Sequence, residues 1–218
     1  AILLIGIISS IYIFTSKTPE ETGFTEYFSG TGQPESIILP DGSTVLANSG
    51  TIILYPQSYG EDTRTVYLSG EANFDVKKNA DAPFIVKSKD FSVTALGTEF
   101  DVTSYPDDLY FKTTLISGSV KVQQNNDKEG YILKVNEQFV YNRNTGKKTI
   151  SQIDTYEVTA WQRGELIFRG ATMKDVLSAL ERKYGISFQY RSNVFNDDKY
   201  NFRFKKDAQL PDIMDIIK

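Results

Sequence analysis

Phe91-Ser92-Val93-Thr94-Ala95-Leu96-Gly97-Thr98-Glu99-Phe100-Asp101-Val102 reads as two strands meeting at a corner. Phe91, Val93 and Ala95 alternate with polar neighbours, and Phe100 and Val102 do the same. This is the period of a chain with one face in a core and the other in water. Gly97 interrupts the alternation, and a glycine inside strand-like sequence marks a bulge or tight corner. The same grammar extends both ways, through Val66/Leu68 and Phe84/Val86 upstream and Val120/Val122 downstream. Turn signals punctuate it at Pro40-Asp41-Gly42-Ser43, Ser49-Gly50, Ser69-Gly70, Pro106-Asp107-Asp108, Ser117-Gly118, Asn125-Asn126-Asp127 and Asn144-Thr145-Gly146. They recur about every 8–15 residues, the mark of an all-β architecture. No helical period is sustained. Residues 36–150 are therefore expected to form a mainly β, antiparallel domain of stacked hairpins, solenoid- or sandwich-like rather than a closed barrel.

After Ile153 the pattern changes. Glu165-Leu166-Ile167-Phe168 reads as a strand. Thr172 is placed to cap a helix, with Asp175 three residues on as a variant capping box. Met173, Val176, Leu177, Leu180 and Tyr184 form one helical stripe, and Gly185 supplies the stop. Ile186, Phe188 and Tyr190 alternate, as do Tyr200, Phe202 and Phe204, so two more strands are expected. Leu210-Pro211-Asp212-Ile213 opens a second helix, with proline in the first turn where it is tolerated. Its start resembles that at Met173, each following an aromatic strand, a weak internal repeat. Residues 161–218 are read as a small α+β (βαβ) module, its second copy cut at Lys218, and 151–160 as a linker.

The N-terminal end is of another kind. Ala1 to Phe14 carries no charge and no proline. A spanning helix needs roughly 20 apolar residues, so 1–16 is read as part of a transmembrane helix. A signal-peptide core or a core strand are the alternatives, although Tyr12-Ile13-Phe14 lacks the small residues of a cleavage site. Residues 17–35 are read as a juxtamembrane linker.

Composition excludes several functions. The 218 residues hold no Cys and no His. Disulfides, thiolate metal sites, the commonest general base and the commonest metal ligand are thus all missing, and no metal or cofactor is expected. The net charge is −4, which gives no basic footprint for nucleic acid. The charge is also uneven. From Trp161 onward there are 11 Lys+Arg against 8 Asp+Glu, and before it 13 against 20. Such a split suits two surfaces with different partners.

Four features are candidates for function. Glu71/Asp75 and Glu99/Asp101 lie at even spacing, so each pair can share a strand face. They read as solvated faces, with a carboxylate-pair hydrolase using Glu71 or Glu99 as the sharper alternative. Phe188, Tyr190, Tyr200 and Phe202 sit on short strands of a small sheet, whose open edge can accept a partner strand. Trp161, the one tryptophan, is expected to pack the linker against the C-terminal module. At Gly97–Thr98 the Thr98 hydroxyl is placed to attack the Gly97 carbonyl, a single-turnover self-cleavage; otherwise no enzymatic turnover is expected.

Several motifs carry a family likeness. Leu39-Pro40-Asp41-Gly42-Ser43-Thr44-Val45 resembles the opening of the FecR-type domain, and Leu68-Ser69-Gly70-Glu71-Ala72-Asn73-Phe74-Asp75-Val76 its strand pair. Pro83-Phe84-Ile85-Val86, Leu96-Gly97-Thr98-Glu99-Phe100-Asp101-Val102, Thr114-Leu115-Ile116-Ser117-Gly118-Ser119-Val120 and the stretch Leu133 to Tyr141 follow in the family's order. From Trp161 to Tyr190 the chain is similar to an STN-type module of Bacteroidetes-like members. The resemblance implies a single-pass inner-membrane anti-sigma factor with this part mostly periplasmic. It would sense the signalling domain of a TonB-dependent outer-membrane receptor. It would control an extracytoplasmic-function sigma factor through a cytoplasmic domain absent here. The family likeness also favours self-cleavage at Gly97–Thr98. A rival reading is an envelope carbohydrate-binding or scaffolding protein.

Overall fold

The computed structural model describes residues 23–125, 127–190 and 198–217. The expected transmembrane segment 1–16 lies outside them. Thirteen strands form one sheet that folds back on itself into two layers. The first layer runs β1 (Phe24–Phe28), β4 (Ile52–Pro56), the first half of β5 (Arg64–Asp75), β6 (Phe84–Lys87), β7 (Phe91–Ala95), β10 (Val120–Gln124) and β11 (Gly130–Leu133). The second runs β2 (Glu35–Ile38), β3 (Thr44–Ala47), the second half of β5, β8 (Glu99–Ser104), β9 (Tyr110–Ser117), β12 (Glu137–Asn142) and β13 (Lys148–Gln152). The inward residues of both layers make one core. Phe91 of the first layer stacks on Phe111 of the second at 4.6 Å, and Phe74, Phe84 and Phe100 pack beside them. The mainly β, sandwich-like expectation holds.

Two corners join the layers. β5 belongs to both, pairing with β4 and β6 before Gly70 and with β3 and β8 from Gly70 on. Ser69-Gly70 was expected to be a turn; it is instead a bend inside a continuous strand. Gly70 has φ +136°, and a Cβ there would lie 2.6 Å from the Thr51 Cα, so no other residue fits the crossing. The second corner is Gly97-Thr98, between β7 and β8, which sit in different layers and do not pair with each other. One pairing departs from the antiparallel expectation. β5 and β6 run parallel, Arg64 opposite Phe84 through Tyr67 opposite Lys87. The chain leaves β5 in the second layer and returns to the first beside the start of β5, which fixes a parallel direction.

Pro40-Asp41-Gly42-Ser43 turns between β2 and β3 and closes on a buried cation. Asp41 accepts from Arg64 Nη1 at 2.6 Å and from the Ser43 backbone and hydroxyl. Arg64 also donates Nε to Ala82 O and Nη1 to Lys77 O. A buried charge is tolerated only when paired and hydrogen-bonded in this way.

Element boundaries differ from expectation at both linkers. β1 lies within the predicted 17–35 linker, because Tyr27 turns inward onto the core and the strand pairs with β4. The predicted 151–160 linker holds the end of β13, helix α1 (Thr155–Val158) capped by Asp154, and a 3-10 turn (Thr159–Arg163).

Beyond these, β14 (Leu166–Ala171), α2 (Met173–Tyr184), β15 (Tyr200–Phe204) and α3 (Leu210–Ile217) follow in the expected order. α2 has the predicted reciprocal Thr172/Asp175 capping box, and Gly185 closes it at φ +65°. β14 and β15 pair antiparallel, so this is not a parallel β-α-β unit. No strand forms at 186–190. There the Phe188 N–H is donated to Glu181 Oε1 at 2.6 Å, and the ring joins the helical core of the module. Among the described residues, no helix is long and apolar enough to cross a membrane.

Candidate functional site

The outward face of the second layer is polar by strand register. On β5 it carries Glu71, Asn73 and Asp75; on β8, Thr103, Asp101 and Glu99 stand opposite them. Lys112 and Thr114 of β9 continue the row. The two carboxylate pairs read from sequence therefore share a single face. At the Glu71/Asp101 end that face is not solvated.

The 3-10 turn lowers Trp161 onto it. The indole is buried, and its Nε1 donates to Asp101 Oδ2 at 3.1 Å. Trp161 thus binds the β domain itself, where the sequence suggested only the C-terminal module. Glu71 accepts from Asn48 Nδ2 at 2.5 Å and from Thr103 Oγ1 at 2.9 Å. Burial raises the Asp101 carboxyl well above the usual carboxylate range, and the neighbouring Glu71 pushes it further the same way. Burial also raises Glu71, opposed by its Asn48 and Thr103 hydrogen bonds and by the Arg182 and Lys112 charges. Two like charges in one enclosed site disfavour joint ionisation.

A second contact lies beside the first. Arg182, in the last turn of α2, places its guanidinium over the Tyr105 ring at 3.9 Å and donates to both Asp108 oxygens, at 2.9 and 3.4 Å. Tyr105 donates its hydroxyl to Ser49 O, and burial holds that phenol well above its usual range. Arg143 supports the same turn through Tyr105 O, Asp108 O and Asp90. From the module side, Lys183 donates to Gly164 O. The outcome is a polar joint between the C-terminal module and the second layer, centred on Trp161–Asp101 and Arg182–Asp108. Only the tryptophan end was legible in sequence. Arg182 had no local signal beyond a cation in a helix's last turn, and its partner is 74 residues away.

The other sequence candidates lie apart from this joint. Tyr200, Phe202 and Phe204 form a stacked column on β15, with centroids 5.7 Å apart at each step. Phe188, Tyr200 and Phe202 are half-buried against the module's own core, while Tyr190 is exposed. The structure brings the first three into one cluster with their apolar surface partly spent on packing. Thr98 is buried and donates its hydroxyl to Ser119 O at 3.0 Å. Gly97 has φ +157°, and a Cβ on it would lie 2.8 Å from the Lys78 Cα. Glu99 is also raised, by burial first and by Asp75 next.

Comparison with known proteins gives a consistent picture. Residues 25–121 match a family model described as FecR protein, and residues 165–218 one described as FecR, C-terminal. The segment read as STN-like is thus similar to the FecR C-terminal unit. Two crystal structures of a provisionally assigned anti-sigma factor from Parabacteroides distasonis ATCC 8503 resemble this chain at 31% identity. One has a TM-score of 0.83 over 88% of this chain and 90% of that one, the other 0.84 over 89% and 90%. No curated protein matches.

Proposed function

Because the chain belongs to the FecR family, we propose that it is a membrane-anchored anti-sigma factor that passes a signal from its C-terminal module to the rest of the chain. Its module receives the signalling domain of a TonB-dependent outer-membrane receptor, and its β domain relays the event toward the inner membrane. An extracytoplasmic-function sigma factor is the regulated partner. The observation that carries this reading is the joint itself. A partner that binds the module can shift the chain's conformation only through contacts that differ between two states. The Trp161–Asp101 and Arg182–Asp108 contacts are such a connection, polar and small enough to be exchanged. Among the described residues β14 and β15 pair only with each other, and their outer edges offer the receptor domain a place to add a strand.

The test is a calorimetric titration of the chain with the signalling domain of the receptor encoded beside it. A dissociation constant of about 1 μM or tighter, about −8 kcal/mol, is expected. Loss of binding in Phe202→Asp with the module still folded assigns the contact to β15. No heat with such domains, together with affinity for glycans, selects the carbohydrate-binding reading instead.

Self-cleavage is a second proposal, resting on the positive φ of Gly97 beside the Thr98 hydroxyl. The Thr98 hydroxyl adds to the Gly97 carbonyl carbon, and the Gly97–Thr98 C–N bond breaks as the hydroxyl proton passes to the leaving amine. Water then hydrolyses the ester. Mass spectrometry of purified chain should find fragments ending at Gly97 and beginning at Thr98, absent in Thr98→Val. An intact wild-type chain after prolonged incubation refutes it.

A further inference from the structure

The outward face of the first layer differs from that of the second. Strand register places Phe24 and Phe28 of β1, Ile52 of β4 and Tyr67 of β5 side by side on it. All four are exposed, Phe28 to 62%. The Phe24 and Tyr67 rings meet edge to face at 6.3 Å. Lys87 lies beside Tyr67 with its ammonium 5.8 Å from the ring centroid, and Lys121 follows on β10. An apolar patch of this kind, interrupted by the exposed Glu26 between Phe24 and Phe28, marks an interaction site rather than ordinary surface. The described residues of the C-terminal module dock on the opposite layer and cover none of these residues.

The patch begins at the first described strand, and its position relative to the apolar N-terminal segment identifies the occupant. Gly23 lies nine residue steps beyond Phe14, the end of the uncharged run. Fully extended, nine residues span at most roughly 30 Å. If residues 1–16 sit in a bilayer, β1 is held within that distance of its surface. Tethering on so short a linker raises local concentration to the millimolar range, where weak contacts are occupied. Aromatic rings suit the bilayer interface, and cations beside them suit anionic headgroups.

We infer that the Phe24/Phe28/Ile52/Tyr67 face of the first layer lies against the membrane surface, with Lys87 and Lys121 directed at anionic phospholipid headgroups. The inference rests on the anchored reading above. It orients the domain, turning the joint and the C-terminal module away from the bilayer, toward a partner in the compartment.

The chain has no cysteine, so single nitroxide labels can be introduced cleanly. The full chain carrying Phe28→Cys, Tyr67→Cys, Ile8→Cys or Ile38→Cys is reconstituted into phosphatidylethanolamine/phosphatidylglycerol vesicles. Collisions with oxygen and with a water-soluble nickel chelate are then compared. Ile38 is the control, exposed to 75% but on the second layer. Labels at 28 and 67 should show an oxygen-to-nickel ratio several-fold above that at 38. The ratio should fall in phosphatidylcholine vesicles and in Lys87→Glu/Lys121→Glu. A label at 8 in lipid with 28 and 67 as aqueous as 38 overturns the docking and leaves the anchor standing. A label at 8 in water overturns the anchored reading and the docking with it. Labels at 28 and 67 shielded from both probes, with 8 in lipid, overturn the lipid assignment in favour of a second copy of the chain.

Discussion

Replacing Trp161 by alanine should uncouple the C-terminal module from the β domain without unfolding either. The indole is buried on the second layer. Such a ring buries about 150–250 Å², which at about 25 cal/mol per Å² is worth at most about 4–6 kcal/mol. Measured truncations of buried tryptophan cost about 3–5 kcal/mol. The lost hydrogen bond to Asp101 is contained in that figure rather than added to it. The β-domain core does not include Trp161, and the module has a core of its own around Val176, Leu180 and Ile213, so the loss should fall on the coupling. The assay is urea unfolding. In the wild-type chain Trp161 is the one tryptophan, so its emission should change in the same transition as the far-ultraviolet circular dichroism. In Trp161→Ala the dichroism should separate into two steps. The module's midpoint should drop by about 1–2 M, taking a slope of about 2–3 kcal/mol per M. A single transition with an unmoved midpoint would show that Trp161 does not hold the two parts together and would refute the reasoning.

Three further outcomes can be checked. Asp101 and Glu71 are raised above ordinary carboxylates in the folded chain, so the folded state holds more protons than the unfolded one. Their contribution is therefore present at low pH and is lost as pH rises from about 4 through the raised values. Asp101→Asn should flatten this slope in urea midpoints taken from pH 4 to 8, and an unchanged slope would contradict the assignment. Asp41→Ala leaves the buried Arg64 without its carboxylate and should cost about 3–5 kcal/mol, visible as a lower melting temperature; a shift equal to that of a surface Asp→Ala control would count against the clamp. Gly70→Ala places a Cβ 2.6 Å from the Thr51 Cα at positive φ and should destabilise by more than about 2 kcal/mol; a neutral result would mean β5 does not bend there.

Much of this was readable because local chemistry decides it. α2 runs where the stripe from Met173 to Tyr184 placed it, between the two caps predicted for it. Inward residues such as Phe91, Val93 and Phe100 are those that alternation selected. Periodicity reports which face of a strand is covered and is silent on what covers it. Hence Glu71 and Asp101 looked like solvated residues, although Trp161 shelters one and side-chain donors hold the other. Ile186, Phe188 and Tyr190 alternate like a strand but pair with no strand among the described residues; Phe188 is drawn onto the helical core instead. β1 was hidden in a polar-looking stretch because its stability comes from pairing with β4, 24 residues or more along the chain.

From sequence alone the chain is a mainly β domain followed by a small α+β module, with its family written in short ordered motifs. Hydrophobic alternation, caps and turn glycines act over a few residues and so survive in one dimension. Tertiary structure alone decided that β5 serves two layers, that β6 runs parallel to it, and that Arg182 reaches Asp108. These are pairings between distant segments. They are selected by the free energy of closing one shared core, which no local window of residues contains.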